Sequence, residues 1–469
     1  MKLTKEQIGY KKKAGYFLYC IVAILCIGYI VIAFNNRYQF DDIAFYVLVR
    51  DNGLWKAFVI NFFTWETTFN TIVLFGLLKW IDVLAPYIYN VSFLLINIYC
   101  FFLLLRTIIE NYKIEISIGE LWLISVLVIT ISYFSCRAMG NAVYWVTGQI
   151  FYCLFMSYLF LAIHFWIKQK LVLASVFMFL FAHTRINYDA IFIGLYSSYL
   201  FFCWFKNKSF HFNWKLQIPF IFFLIGIVSY VIIPGNYNRV ASIKVAGPEV
   251  HLSVLIIMKG WISAFKHLAG ILFSSWKQLI IFPIGIMLSF YLSHHFKLKE
   301  LVTLRLLIYC SIAFIISYIG QSTVIYIAIK TPVGYGRIFF MLEMLLFMLI
   351  LMYGVYFGNL LQSYTGAAIV NSLIYITSFS ILFAVAFSIY TSYQTTAVFA
   401  RAYDKRIQYL KDLKQTSVKG KVYVSALPSS DVLEFMEISP ETDSLGTLPD
   451  NNAVYVKYYR LPFKLFLEK

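Results

Sequence analysis

Tyr16 to Phe34 reads YFLYCIVAILCIGYIVIAF, a run without a single charged side chain. Its length is close to the roughly 20 residues a helix needs to cross the hydrocarbon core of a bilayer. Backbone polar groups have no water to bond there, so a lone stretch of this kind must be a helix. Similar runs recur through Leu373 to Ile389. Of the 469 residues, 61% are hydrophobic and 13% charged, against the roughly 25% charged of a soluble domain. Lipid, not one interior core, must take up this apolar surface. The fold class that follows is an all-α polytopic membrane protein.

A basic stretch with Lys11, Lys12 and Lys13 precedes the first run, and no small-x-small cleavage site precedes Asn35-Asn36-Arg37. The run therefore reads as a retained first helix, about 14–34, with a cytoplasmic N-terminus. Asp41 and Asp42 then emerge outside. The first outer loop, about 35–86, mixes Trp55, Trp65, Glu66, Lys79, Trp80 and Asp82 with apolar residues, which suits helices lying at the interface. A crossing at 67–82 is rejected, being short and turning Lys168, Lys170, Lys206, Lys208, Lys297 and Lys299 outward.

Further spans fall at about 87–108, 119–136, 149–167, 170–184, 188–205, 216–233, 276–296, 301–320, 338–357 and 368–390, which makes about eleven crossings with the first. An odd number leaves the tail outside. There a charged helix near Arg401 to Lys414, a strand at Val422 to Ala426 and turns rich in Pro, Ser and Asp suggest a small α/β appendage. The chain divides into a transmembrane region, 1–392, and an extracytoplasmic C-terminal domain, 393–469, of a multi-pass protein of the cell (inner) membrane.

Several classes fall away. The seven cysteines (Cys20, Cys26, Cys100, Cys136, Cys153, Cys203, Cys310) lie in or beside apolar runs at unrelated spacings and predict neither disulfides nor a metal site. The formal charge of +17 is scattered among hydrophobic spans, so lipid phosphate or a phosphorylated substrate is the implied partner, not nucleic acid. The seven histidines lack metal-ligand spacing, and Walker A, G-x-G-x-x-G and H-E-x-x-H strings are absent.

Four arginines, Arg137, Arg185, Arg239 and Arg337, fall outside, against the usual bias. Singly, each can anchor a lipid headgroup. As a group, their permanently charged planar forks suit a phosphate or pyrophosphate, with Lys330 adding a cation. Asp41 or Asp42 can accept a proton from an attacking hydroxyl, an effect typically worth about 10² to 10⁴ in rate. The pair can instead hold a divalent cation, Mg or Mn, or cap a helix starting near Ile43.

Tyr144-Trp145-Val146-Thr147-Gly148-Gln149 opens the span at 149–167 with interfacial aromatics, a hydroxyl and an amide, so Trp145, Thr147 and Gln149 are candidates for sugar or acceptor contacts. Asn187 and Asp189, following His183 and Arg185, form a polar cluster or a short capped loop. Pro234-Gly235-Asn236-Tyr237-Asn238-Arg239 ends the preceding helix and leaves Asn236 and Arg239 to bind an anion or sugar hydroxyl. Thr331 to Arg337 is a glycine-rich turn that lets backbone donors and Arg337 approach a ligand.

Taken together, the Asp-Asp pair after the first helix, the interfacial helices, W-x-T-G at Trp145 to Gly148, Asn187/Asp189, P-G-N-x-x-R at Pro234 to Arg239 and a late loop arginine resemble the GT-C superfamily of polytopic glycosyltransferases. The likeness is nearest to bacterial members and covers most of the chain, including Asn451-Asn452 and Tyr458-Tyr459 near its end. It implies inverting transfer of a sugar from a polyprenyl-phosphate carrier to a glycan or lipid-linked acceptor on the outer face, with a first-loop acid as base and arginines on the carrier phosphate. By position, Asp41 matches the first acid and Asp42 the second. One departure stands out: Trp65-Glu66-Thr67-Thr68 occupies the place where those members often carry W-x-G-R, so Glu66 is itself a candidate acid or ligand. Two rival readings are a surface-polysaccharide polymerase or ligase and a transporter or flippase of lipid-linked glycan. The transporter should carry polar residues at mid-depth and internal repeats, and no repeat is visible.

Overall fold

The computed structural model describes residues 5–64, 68–136, 139–184, 186–207, 217–242, 258–259, 261–262, 265–266, 268–270, 276–292, 302–329, 339–364, 367–416, 418, 420–429 and 451–467. The chain begins with α1 (Lys5–Phe34), α2 (Phe40–Thr64), α3 (Phe69–Leu78), α4 (Pro86–Asn111) and α5 (Ile118–Ser135). A π-helical turn (Met139–Tyr144), the short α6 (Val146–Gly148) and a second π-helical turn (Gln149–Cys153) lead into α7 (Leu154–Ile167). Then come α8 (Leu171–Ala182), α9 (Ile186–Asn207), α10 (Ile218–Val231), α11 (Pro234–Ser242), the short α12 (Trp276–Leu279) and α13 (Ile281–Tyr291). The last long helices are α14 (Leu304–Ile329), α15 (Phe340–Tyr364) and α16 (Ala367–Gln415), followed by β1 (Gly420–Val424), α17 (Asn451–Tyr459) and β2 (Phe463–Leu467).

Among the described residues seven helices are long and apolar enough to cross a membrane, the first Lys11–Phe34 and the last Ile374–Gln415. Leu171–Ala182, Ile218–Val231 and Ile281–Tyr291 are apolar but shorter. The protein is therefore a helical, multi-pass membrane protein. α3 has 10 residues and a length of about 15 Å, half of what the hydrocarbon core requires.

Local sequence explains many of the boundaries. Pro86 occupies the first turn of α4, where its missing N–H costs nothing. Ser117 and Glu120 cap α5 reciprocally: the Ser117 hydroxyl accepts from the Glu120 amide at 3.2 Å and Glu120 Oε2 accepts from the Ser117 amide at 3.1 Å. Other boundaries differ from expectation. The span expected at 276–296 is interrupted at Ile280 between α12 and α13, and the helix expected to start near Ile43 starts at Phe40.

The boundary drawn at 392 falls inside α16, which continues for 49 residues and joins the expected span to the expected charged helix. At 1.5 Å per residue it is about 73 Å long, more than twice the roughly 30 Å hydrocarbon core. The strand expected at 422–426 lies at Gly420–Val424 and pairs in parallel with Phe463–Leu467. A parallel pair needs a crossover, and α17 lies on it.

Two apolar cores organise the bundle. One joins the end of α1, α2, α4, the Tyr144–Cys153 region and α9, and runs on into Val422, Val424, Tyr455 and Leu465 of the tail. The other packs the first half of α1 against α5, α13, α15 and α16. In the second, Gly285 of α13 faces Gly354 of α15, and a Cβ built on either would lie 2.9 Å from the other's Cα. Small residues at such crossings let helix backbones approach closely in lipid.

Gly354→Ala should push α13 from α15 and cost about 1–3 kcal/mol, the usual penalty of overpacking. Gly76→Ala meets nothing within 4 Å and should not lower stability. Thermal melts of the two purified variants beside the parent protein check both.

Candidate functional site

The first-loop helix α2 gathers the site. It is two arms joined at Gly53, whose φ of +75° lies in the left-handed region that a residue without Cβ adopts freely. Gln39 precedes the first arm, and Asp41 and Asp42 occupy its first turn, where the helix dipole favours carboxylates. Asp42 is fully buried. Its Oδ2 accepts the Gln39 N–H at 3.0 Å, and its Oδ1 accepts the Thr147 N–H at 2.8 Å and the Thr147 hydroxyl at 2.5 Å. Two strings 105 residues apart, the acidic pair and W-x-T-G, are thus joined side chain to backbone. Asp41 stays partly exposed beside this joint. Burial pushes the Asp42 carboxyl from 3.8 up to about 7; its three hydrogen bonds oppose the rise and the Asp41 charge adds to it.

A second polar joint lies behind the first. The Tyr144 carbonyl, at the end of the first π-helical turn, accepts from Asn36 Nδ2 at 2.5 Å and from Asn90 Nδ2 at 2.9 Å. Asn36 Nδ2 also donates to Asn90 Oδ1 at 3.0 Å. The Tyr29 hydroxyl donates to the Asn90 carbonyl at 3.1 Å, and its ring stacks on Tyr144 with centroids 5.1 Å apart. Gln149 Nε2 donates to the same hydroxyl at 3.4 Å. Sequence reading missed Asn36, the second of two adjacent asparagines bordering the first apolar run, and Asn90, a lone amide inside another. Buried amides need partners, and that is the signal that marks them.

The predicted residues separate by placement. Thr147 meets α2 through Asp42, Gln149 meets α1 through the Tyr29 hydroxyl, and Trp145, Thr147 and Gln149 are all buried. Pro234 opens a new helix as well as ending α10. Asn236 Nδ2 donates to the Tyr230 carbonyl at 2.8 Å, which caps the last turn of α10 and engages the amide expected to hold an anion or sugar. Asn238 Nδ2 donates to the Phe63 carbonyl at 2.6 Å and brings α11 to the far end of α2. Asp189 is buried in the first turn of α9, with neither oxygen hydrogen-bonded among the described residues. Asn187 and Arg239 lie within α9 and α11, their side chains outside the described residues. Glu66, Arg137, Arg185, Lys330 and Arg337 also lie outside the described residues.

The tail reaches the same helix. Arg50 NH1 and NH2 donate to the carbonyls of Tyr458 and Lys457 at 3.3 and 3.1 Å, covering the C-terminal turn of α17 where free carbonyls attract a cation. The Tyr46 and Tyr458 rings meet edge to face at 5.6 Å. Both hydroxyls donate to Asp82, Tyr458 to Oδ1 at 3.2 Å and Tyr46 to Oδ2. Burial and the Asp82 charge raise the Tyr458 phenol well above its ordinary range. Arg37 clasps Asp404 of α16 with Nε at 2.7 Å and NH2 at 2.6 Å.

The Asp41/Asp42 pair fits a divalent cation poorly. Both Asp42 oxygens are buried against hydrogen-bond donors, which leaves one partly exposed carboxylate where a hard cation takes six or more oxygens. Among the described residues no group of three His, Cys, Asp or Glu side chains is placed to hold a metal ion. Comparison with known proteins finds no matching family model, no matching characterised protein and no matching solved structure.

Between 3.8 and about 7 the folded chain keeps a proton on Asp42 that the unfolded chain has released. Stability should therefore fall as pH rises through that window. Melting temperatures across it should flatten in Asp42→Asn. Thr147→Val, which lacks the hydroxyl donor to the carboxylate, should lose more stability above the window than inside it.

Proposed function

We propose that the chain is a GT-C-type glycosyltransferase that moves a sugar from a polyprenyl-phosphate carrier to a cell-surface glycan or lipid-linked acceptor on the extracytoplasmic face of the cell (inner) membrane. About eleven crossings, a cytoplasmic N-terminus and an outer tail belong to this reading. The observation that carries it is the joining of Asp42 to Thr147, because it unites two strings on which the family resemblance rests and leaves Asp41 partly exposed at their junction.

In this reading Asp41 is the base and Asp42 the brace. The acceptor oxygen attacks the anomeric carbon, its proton passes to an Asp41 carboxylate oxygen, and the bond from that carbon to the phosphate oxygen breaks. Polyprenyl phosphate leaves with the electron pair, and Arg239 and Arg337 are the residues assigned to its charge. Asp42 holds the first turn of α2 to the Thr147 turn, so the position of Asp41 is set before substrate arrives.

One observation favours a second reading, a transporter of lipid-linked glycan. A buried carboxylate without hydrogen-bond partners among the described residues, Asp189, is the kind of group that marks ion and proton paths in membrane helices.

With a labelled polyprenyl-phosphate sugar, Asp41→Asn should lower transfer by about 10² or more, with insertion and melting preserved. Asp42→Asn should lose less, and full activity in both single variants and the double variant would remove the acid-base assignment. Asp189→Asn should leave translocation of lipid-linked glycan in proteoliposomes unchanged. Loss of translocation with transfer absent from the parent protein would replace the first reading by the second.

A further inference from the structure

The uncharged run of α1 stops at Phe34, and just beyond it Asn35, Arg37 and α16 flank an open cleft of about 560 Å³. Asn35, Arg37, Gln394, Val398, Arg401 and Asp404 line it with their neighbours. The volume falls within the roughly 300–1,000 Å³ of small-molecule sites. Neither the sequence motifs nor the proposed catalytic residues account for it.

Its charges are unequal in what they are free to do. Arg37 gives Nε and NH2 to Asp404, and NH1 to the carbonyls of Phe34 and Asn36 at 3.2 and 2.8 Å. Asp404 is thereby neutralised. Arg401 makes one hydrogen bond among the described residues, from Nε to the Ala397 carbonyl at 3.2 Å. Its two terminal nitrogens keep the planar fork that pairs with a phosphate.

A hydrocarbon path leads to that fork. Phe379, Phe383 and Phe387 are exposed by 74%, 66% and 58%, at four-residue spacing along α16. Tyr390, Gln394, Val398 and Arg401 continue the same face, since steps of three and four return to one side of a helix. The Phe383 and Phe387 rings stack at 6.3 Å. Tyr390 is 56% exposed at the end of the apolar stripe.

We propose that this cleft binds the phosphate of a membrane lipid through Arg401, with the lipid's hydrocarbon chain along the Phe379–Phe383–Phe387 stripe. An anionic phospholipid and a polyprenyl phosphate share this chemistry. Phosphate binding stands without the glycosyltransferase reading; assigning the occupant as carrier rests on it.

The test uses the full chain in nanodiscs with a photo-crosslinking amino acid replacing Val398. Labelled phosphatidylglycerol, polyprenyl phosphate and phosphate-free diacylglycerol are offered in turn. The phosphate lipids should label more than diacylglycerol, and Arg401→Ala or Arg401→Gln should reduce that labelling about tenfold, the loss of one charge-assisted bond. Arg401→Lys should retain part of it. Competition between the two phosphate lipids identifies the occupant: an excess of polyprenyl phosphate displacing phosphatidylglycerol gives the carrier, and the reverse gives bulk phospholipid. Equal labelling by all three lipids, or unchanged phosphate-lipid labelling in folded Arg401→Ala and Arg401→Gln, overturns the proposal. Lost labelling with sugar transfer intact supports the lipid site and separates it from the catalytic reading.

Discussion

The joint between Asp42 and Thr147 is the constraint on which the arrangement around the first loop depends. A carboxylate taken wholly out of water is costly unless donors meet it, and here three do: two from Thr147 and one from the backbone at Gln39. The same contacts fix the first turn of α2 and the turn between two π-helical segments. The adjacent Asp41 stays partly exposed. Two neighbouring residues of one type are thus differentiated by burial alone.

Around that joint α2 acts as a beam on which otherwise separate parts rest. Its start holds Thr147, its middle holds the last turn of α17 through Arg50, and its end holds α11 through the Phe63 carbonyl. Asp82 gathers the hydroxyls of Tyr46 and Tyr458, so the tail and the first loop share one acceptor. The tail's apolar residues also belong to the same core as the bundle. Gly53 divides the beam into two arms.

Apolar runs and helix-starting residues made the helices legible, because lipid leaves the backbone one solution and Pro86, Ser117 and Glu120 mark their starts locally. The continuity of α16 through residue 392 was hidden by a composition change that has no counterpart in its backbone hydrogen bonding. Asp42 and Thr147 could be nominated from their motifs, but their joining arises only from packing distant segments. Asn36 and Asn90 carry no local pattern at all. The hydrogen bond from Asn236 to the Tyr230 carbonyl was not legible either, since it arises only once Pro234 starts a fresh helix after α10. The two π-helical turns were likewise invisible, since a one-residue slip in hydrogen-bond register leaves no mark on hydropathy.

The 49 unbroken residues of α16 also have a mechanical meaning. A helix without a break transmits rotation along its length, so a change in the tilt of its apolar part is carried to its far end. Over the roughly 40 Å beyond a bilayer core, a tilt of about 10° displaces that end by about 7 Å. Arg37 on Asp404 and Arg50 on α17 bear on such a movement from the first loop. Bilayer thickness, which biases helix tilt, thereby becomes a quantity to which the start of the first loop at Asn35 and Arg37 is geometrically connected.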